Sequence, residues 1–478
     1  MSEFYEGIHE KCAVSAVVTT EEQAAPLVYE QLFSMQHRGS YASGMASILP
    51  DGNLRTHRDL GTVPDVYSEK SIRALEGNMT IGFNRYPTSG APDKHPGPFK
   101  DNAIGFAMAH NGNLPLTDRL DKFLERYNIS TGQYNDSEKM GLTVAQFLRQ
   151  GQELPDAIDM AFHYFRGSYS CVAMHDGMVV AFRDPKGIRP LALGSFDGGI
   201  AVASETCGLD IIDANYDREV EPGEMVIITK DGVESKRFAD SDEEKLDMFE
   251  FVYFARQDSV LYGQRLNEVR RRFGQQLAKE HPPATDDQAN VLVVPIPDTS
   301  IPAAEAYAQA LGLEERSAII KNRFIGRTFM ADNDRLRNRQ LRRKHSIIDE
   351  DVRGRDIVFI DDSIVRGNTM PRLVRLATEV GAKSVSVLIA SSPVRFPDFY
   401  GIDTPEQSEL MAANLTVEQM RQKIGCKYLG FLSLDGMVSA TGIDYEKFNL
   451  SCFNGEYPIG IGALKAQIKK PISMEFAE

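Results

Sequence analysis

From Cys12 to about residue 235, apolar residues come in short runs, Ala13 to Val18, Thr80 to Phe83, Ala103 to Ala109 and Ser170 to Met174. That is the length of strands rather than helices. Asp176-Gly177 separates two such runs and Asp197-Gly198-Gly199 precedes another, which predicts tight hairpins. Helical spacing interrupts the pattern at Ala25 to Met35, Asp118 to Tyr127 and Ser137 to Leu148, the last with Asp136 as its expected cap. Mostly antiparallel sheets with helices packed outside accommodate this order, an α+β arrangement. After residue 250 the rhythm changes. Apolar Val291 to Ile296 is followed by a Pro-Asp-Thr-Ser turn and a helix Ala303 to Leu311 ended by Gly312. Strand Ile357 to Ile360, the loop from Asp361 to Asn368, helix Thr369 to Val380 and strand Ser384 to Ile389 repeat the unit. Fully apolar strands alternating with helices predict a parallel sheet covered on both faces, an α/β domain.

Length and charge narrow the picture. A chain of 478 residues has room for two to four domains. The stretch Asp240 to Lys245, with four acids in six residues, is the expected linker. Lys and Arg number 53 against 68 for Asp and Glu, a net charge of -15 that disfavours nucleic acid and anionic membranes as partners. No apolar run approaches the ~18 residues of a membrane span, and the acidic, polar start Met1 to Lys11 lacks the order of a signal peptide. The expected compartment is the cytoplasm. Five cysteines, Cys12, Cys171, Cys207, Cys426 and Cys452, are scattered without a CxxC, so neither a disulfide frame nor a cysteine metal cage is expected.

The strongest chemical signal runs from Ile357 to Thr369. Asp361 and Asp362 leave the carboxyl end of a buried strand, where α/β folds place ligands, and a loop of small and polar residues then feeds a helix. Such a loop can offer backbone N–H groups and the Ser363 and Thr369 hydroxyls to a phosphate at the positive end of the helix. The paired carboxylates would repel that phosphate and suit sugar hydroxyls or Mg²⁺ beside it.

This segment resembles the phosphoribosyl-diphosphate signature of type I phosphoribosyltransferases. Phe251 to Arg256, Pro295 to Ser300, Lys321 to Phe329 and Phe399 to Asp403 extend the likeness. So do Cys12, Gln36-His37-Arg38-Gly39, Arg85-Tyr86-Pro87-Thr88, His110 to Leu114, Arg183-Asp184-Pro185 and Gly187 to Pro190. Together, in order from Cys12 to about residue 460, they are similar to the amidophosphoribosyltransferase family. The resemblance implies a propeptide over 1–11, an N-terminal-nucleophile glutaminase domain over 12–239 and a phosphoribosyltransferase domain with a C-terminal extension over 250–478. Cys12 would be the nucleophile, its freed α-amine acting as base for its own thiol. Asn111 and the Gly112 N–H would form the oxyanion hole; Arg85 would pair the glutamine α-carboxylate and Asp136 the α-ammonium. Phosphoribosyl diphosphate would be bound by Asp361, Asp362, Ser363, Val365, Arg366, Gly367, Asn368, Thr369 and Arg327, with Mg²⁺ at Thr299, Asp361 and Asp362. Six cations from Arg335 to Lys344 would form a closing loop. A homotetramer inhibited by AMP and GMP is implied as well.

Two departures stand out. Many relatives carry a four-cysteine iron–sulfur cluster, and its ligand positions here hold Met248, Asp398, Asn449 and Cys452, so no cluster is expected. After Gly39 the chain reads Ser40-Tyr41 where the family usually has Gln and an acid. Rival readings are another N-terminal-nucleophile amidotransferase, which would lack the Asp361-Asp362 signature, and a non-catalytic paralogue binding phosphoribosyl diphosphate or purine nucleotides as a regulator.

Overall fold

The computed structural model describes residues 9–10, 12–20, 23–86, 96–241, 243–285, 287–321, 345–404, 406–469 and 471. In the first half two antiparallel sheets lie face to face. One runs Asn215–Glu219, Ala192–Phe196, Gly199–Ala203, Cys12–Thr19, Met79–Arg85, Ala42–Ile48, Leu54–Leu60. The other runs Gly232–Arg237, Glu224–Thr229, Met178–Arg183, Ser168–His175, Phe106–Asn113, Phe99–Asp101.

Alternation along Cys12–Thr19 shows why these strands are apolar throughout. Val14, Ala16 and Val18 meet Ala107, Val172, Val179 and Val226 of the facing sheet. Ala13 and Val17 point the other way, onto helix Ala24–Ser34. Outside the second sheet, helices Asp118–Glu125, Asp136–Arg149 and Leu154–Ala161 cover Phe106, Met108, Cys171 and Phe182. The order is therefore helix, sheet, sheet, helix, and each strand period of two is filled on both sides.

Two expectations need correction. The run read as a strand from Ala103 begins at Phe106, because Asp101 accepts a hydrogen bond from the Ala103 N–H at 3.1 Å and turns the chain there. The cap of Asp136–Arg149 is Asn135, whose side chain accepts from Glu138 N at 2.8 Å while Glu138 answers to the Asn135 N–H. Asp136 is left to face inward.

The second half is a five-stranded parallel sheet in the order Glu314–Glu315, Val291–Pro295, Asp356–Asp361, Ser384–Ile389, Tyr428–Phe431. One face carries Val293, Val358, Ile360 and Leu388 onto helices Leu266–Glu280 and Ile301–Leu311. The other carries Leu292, Phe359, Val387 and Leu429 onto helices Met370–Glu379 and Val417–Ile424.

The halves meet across buried charge. Arg38 bonds Glu205 and, at 2.7 Å, Glu250; Arg189 reaches Asp247 at 2.7 Å and Glu250 at 2.9 Å. Glu205 also accepts from Arg256 N at 2.9 Å and Ser259 Oγ at 2.8 Å, so one carboxylate is held from both sides. Burial alone would raise its pKa, but His37 and Arg38 hold it well below the usual carboxylate range. The linker is bonded as well, with Lys245 N donating to Lys186 O at 2.7 Å. Among the described residues no helix is long and apolar enough to cross a membrane.

Candidate active sites

Cys12 and Arg85 are cross-strand partners, and Tyr41 N donates to Arg85 O at 3.0 Å. A Cβ on Gly39 would lie 2.9 Å from the Arg85 backbone, so the Gln36–Arg38 turn rests on the strand that carries Arg85. Cys12, Arg85, Gly112 and Asp136 line one small cavity of about 40 Å³, joined by Arg58 and Glu138. Four expected residues thus converge, from three strands and a helix start.

Asn111 is fully buried beside this cavity. Its Nδ2 donates to Ser204 Oγ at 3.4 Å, and Ser204 Oγ in turn accepts from Val14 N at 2.9 Å. Gly112 has φ +150, and a Cβ there would stand 2.2 Å from Ser168 O and 2.8 Å from His110 Nε2. Only glycine fits.

His110 was part of the motif without a role. Its Nδ1 lies 2.9 Å from Ser137 Oγ and 3.9 Å from Asp136, its Nε2 3.2 Å from Ser168 O. Burial pushes its pKa down against the pull of Asp136, so the ring is a neutral strut behind Gly112. Asp136 Oδ2 accepts from Leu114 N at 3.1 Å, which fixes the carboxylate over the cavity. Arg58 and Glu138 are residues that sequence reasoning missed. Arg58 is pushed down by burial and supported by Glu138, and it donates to Pro98 O at 2.8 Å. Neither the polar sequence nor the burial pattern of Leu54–Leu60 singles out Arg58.

The second site sits at the carboxyl edge of the parallel sheet. Asp361 ends its strand and accepts from Asp362 N at 3.0 Å; Ser363 Oγ donates to Asp362 at 2.8 Å. Burial and then the charge of Asp362 drive Asp361 well above the usual range, and burial pushes Asp362 up to about 6 against the pull of Arg270 and Lys321. Ile364 and Val365 anchor the loop in the core, and Gly367 has φ +70 with Met411 Sδ 2.2 Å from where a Cβ would stand. Arg366 turns away to Glu409 at 2.7 Å. Asn368 is exposed, and Thr369 heads helix Met370–Glu379.

Ile296 N donates to Ile360 O at 2.9 Å, so the turn holding Thr299 lies beside the Asp361 loop. Tyr253 and Arg270 complete this site unannounced. The field of Asp362 reaches both, and Arg270 ties down the Glu250–Phe254 turn through Phe251 O at 3.0 Å and Ala255 O at 2.7 Å. An arginine among Leu266, Val269, Phe273 and Leu277 on a buried helix face was the readable sign of Arg270. Arg327 and the basic stretch Arg335 to Lys344 lie outside the described residues.

One segment touches the first site from the second domain. Asn113 Nδ2 donates to Phe399 O at 2.8 Å, Ser168 Oγ donates to Tyr400 O, and a Cβ on Gly401 would lie 3.3 Å from Gly112 Cα. Met248, Asp398, Asn449 and Cys452 are buried behind it. Asp398 accepts from Tyr400 N at 2.7 Å and Ile402 N at 2.9 Å, and Asn449 pairs with Asp247.

No family model matches the chain. Curated relatives do. The chain is 38% identical over 459 residues to the amidophosphoribosyltransferase of Synechococcus elongatus, covering 95% of this chain and 92% of that one. With the Bacillus subtilis amidophosphoribosyltransferase the identity is 37% over 465 residues, 95% of each chain. Among solved structures, the glutamine phosphoribosylpyrophosphate amidotransferase from B. subtilis complexed with ADP and GMP superposes with TM-score 0.86 at 35% identity, covering 95% and 98%. Another, described as the allosteric regulatory enzyme of purine biosynthesis, gives TM-score 0.87 at 35% identity, covering 95% and 97%.

Proposed function

The chain belongs to the amidophosphoribosyltransferase family, and from that premise we propose that it transfers ammonia from glutamine to phosphoribosyl diphosphate. The products are 5-phosphoribosylamine, glutamate and pyrophosphate, in the first committed step of purine synthesis. The observation that carries the reading is the pairing of two sites in one chain. A thiol with an arginine, an acid and a glycine N–H lies in one half, a carboxylate pair at a parallel-sheet edge in the other. A purely regulatory binder would have no use for the first of these.

At the first site Cys12 Sγ attacks the side-chain carbonyl carbon of glutamine, and its proton passes to the Cys12 α-amine once cleavage after Lys11 has freed it. Arg85 orients the α-carboxylate and Asp136 the α-ammonium. The oxyanion takes hydrogen bonds from Asn111 Nδ2 and the Gly112 N–H. Collapse expels ammonia with the proton held by the amine, and water then hydrolyses the thioester to glutamate. At the second site ammonia bonds to the anomeric carbon as pyrophosphate leaves, while Asp361 and Asp362 stabilise the positive charge developing on the ribose. Ser363, Val365, Arg366, Gly367, Asn368 and Thr369 belong to the loop we assign to the 5-phosphate, with Arg327 on the diphosphate side.

Mg²⁺ fits the donors present. Asp361, Asp362 and Thr299 supply hard oxygens, and two half-buried carboxyls that repel each other gain from a cation. It would screen the diphosphate charge. Domain limits of 12–239 and 250–478, a cytoplasmic homotetramer and feedback by purine nucleotides belong to the same reading. A glutamine-dependent pyrophosphate-release assay on the purified chain tests it; glutamate without pyrophosphate, or neither product, would refute it.

A further inference from the structure

The loop from Asp361 to Asn368 is backed by a segment that sequence reasoning passed over. There the chain makes a short turn, Gln407–Glu409, and a single helical turn, Met411–Asn414. Leu410 and Ala413 enter the core on one face of the parallel sheet, with Ile360 and Val365. Met411 and Ala412 enter the core on the other, with Phe359 and Ile364. Asn414 Nδ2 lies within 3.0 Å of the carbonyls of Gln407, Ser408 and Leu410, and Gln407 Nε2 donates to Arg395 O at 3.1 Å. A segment anchored in two cores and tied to itself has little freedom to move.

Three consecutive loop residues rest on it. Met411 N donates to Val365 O at 2.8 Å. Met411 Sδ lies 2.2 Å from where a Cβ on Gly367 would stand, at φ +70, so the loop lies this close only as glycine. Between these two, Arg366 Nε donates to Glu409 Oε2 at 2.7 Å. The side chains of that pair are 22% and 48% exposed, so as a charge pair it adds little to stability. Its effect is directional. The guanidinium is planar with its Nε–H fixed in the plane, so the Glu409 bond restricts where the middle of the loop can go. Arg366 is also the one cation between Asp361 and Asn368, and this bond turns it toward a carboxylate.

We propose that Glu409 is a positioning residue for phosphoribosyl diphosphate: with Met411 it holds Val365, Arg366 and Gly367 in the curve that turns the loop's backbone N–H groups onto the 5-phosphate. Arg366 acts through this pairing rather than as a ligand of the phosphate. The inference rests on the assignment of this loop to the 5-phosphate. The test is steady-state kinetics of pyrophosphate release with ammonia as nitrogen donor and phosphoribosyl diphosphate varied, on the wild type, Glu409→Gln, Arg366→Gln and the double variant. Glu409→Gln should raise KM about threefold to tenfold with kcat within about twofold. Arg366→Gln should raise KM to a similar extent, and the double variant no further than either alone, because all three remove one interaction. A loss of folded protein would instead lower kcat and leave KM in place. A wild type that releases no pyrophosphate refutes the assignment of the loop and the proposal with it. With an active wild type, a KM unmoved or lowered in Glu409→Gln overturns the proposal alone. So does a rise in Arg366→Gln that adds to that of Glu409→Gln in the double variant, since Arg366 would then hold the phosphate itself.

Discussion

Replacing Gly112 by alanine isolates the proposed oxyanion hole. The added Cβ would stand 2.2 Å from Ser168 O, against the roughly 3.4 Å or more that such a pair needs, so one of the two strands must retreat by about 1 Å. At φ +150 an alanine also resists the backbone that aims the Gly112 N–H. A hydrogen bond displaced that far is lost, and loss of one oxyanion donor costs about 2.7–4 kcal/mol, on the order of 10² to 10³ in kcat. The assay is glutamate release from glutamine, run beside pyrophosphate release with ammonia as the nitrogen donor. Glutamine use should fall by about two to three orders of magnitude. Ammonia use should keep most of its rate, since Asp361 and Asp362 sit on another sheet. Near-normal glutamine turnover in Gly112→Ala would refute the role of this N–H. Equal loss of both activities in folded protein would refute the independence of the two sites.

Asp361→Asn with Asp362→Asn should lower phosphoribosylamine formation about a hundredfold or more with either nitrogen donor, while glutamine hydrolysis continues; steady-state kinetics with ammonia reads this directly. Intact mass of active protein should show Cys12 as the first residue, and full glutamine activity with Met1 to Lys11 still attached would exclude the α-amine as base. Iron and sulfide analysis of anaerobically purified protein should find neither in stoichiometric amount, since Cys452 is the sole thiol among Met248, Asp398 and Asn449. Arg38→Met leaves Glu205 and Glu250 buried without their shared cation, and thermal unfolding should show a loss of about 3–5 kcal/mol; an unchanged melting temperature would mean that the network adds no net stability.

Much of the architecture was readable because period and length are local properties. The apolar strands other than the one read from Ala103, the Asp176-Gly177 hairpin and the Gly312 helix stop stand where the pattern predicts. Errors arose where two polar neighbours compete for one task. Asn135 and Asp136 are both good caps, and sequence alone does not say which side chain faces back along the helix; the capping box with Glu138 settles it and leaves Asp136 to line the cavity with Cys12. Glu205 shows a second limit. Its neighbours in sequence give no hint that Arg38, Arg256 and Ser259 all converge on one carboxylate.

The contact between the sites is the extreme case. Phe399 to Asp403 reads as an irregular loop, and its motif says nothing about where the loop lies. Its partners Asn113 and Ser168 stand 286 and 232 residues away from Phe399 and Tyr400. Hydrogen bonds to backbone carbonyls leave no trace in residue type, because every residue has a carbonyl. The glycines are the exception. Gly401 at φ +125 stands where a Cβ would lie 3.3 Å from Gly112 Cα, and Gly112 would itself collide with Ser168 if it had a side chain. Two glycines from different domains meet at the expected oxyanion hole: Gly112 is confined by Ser168 of its own domain, and Gly401 by its left-handed φ and the nearness of Gly112. At this point the second domain meets the Gly112 backbone through the Gly401 backbone, flanked by the side-chain hydrogen bonds from Asn113 and Ser168.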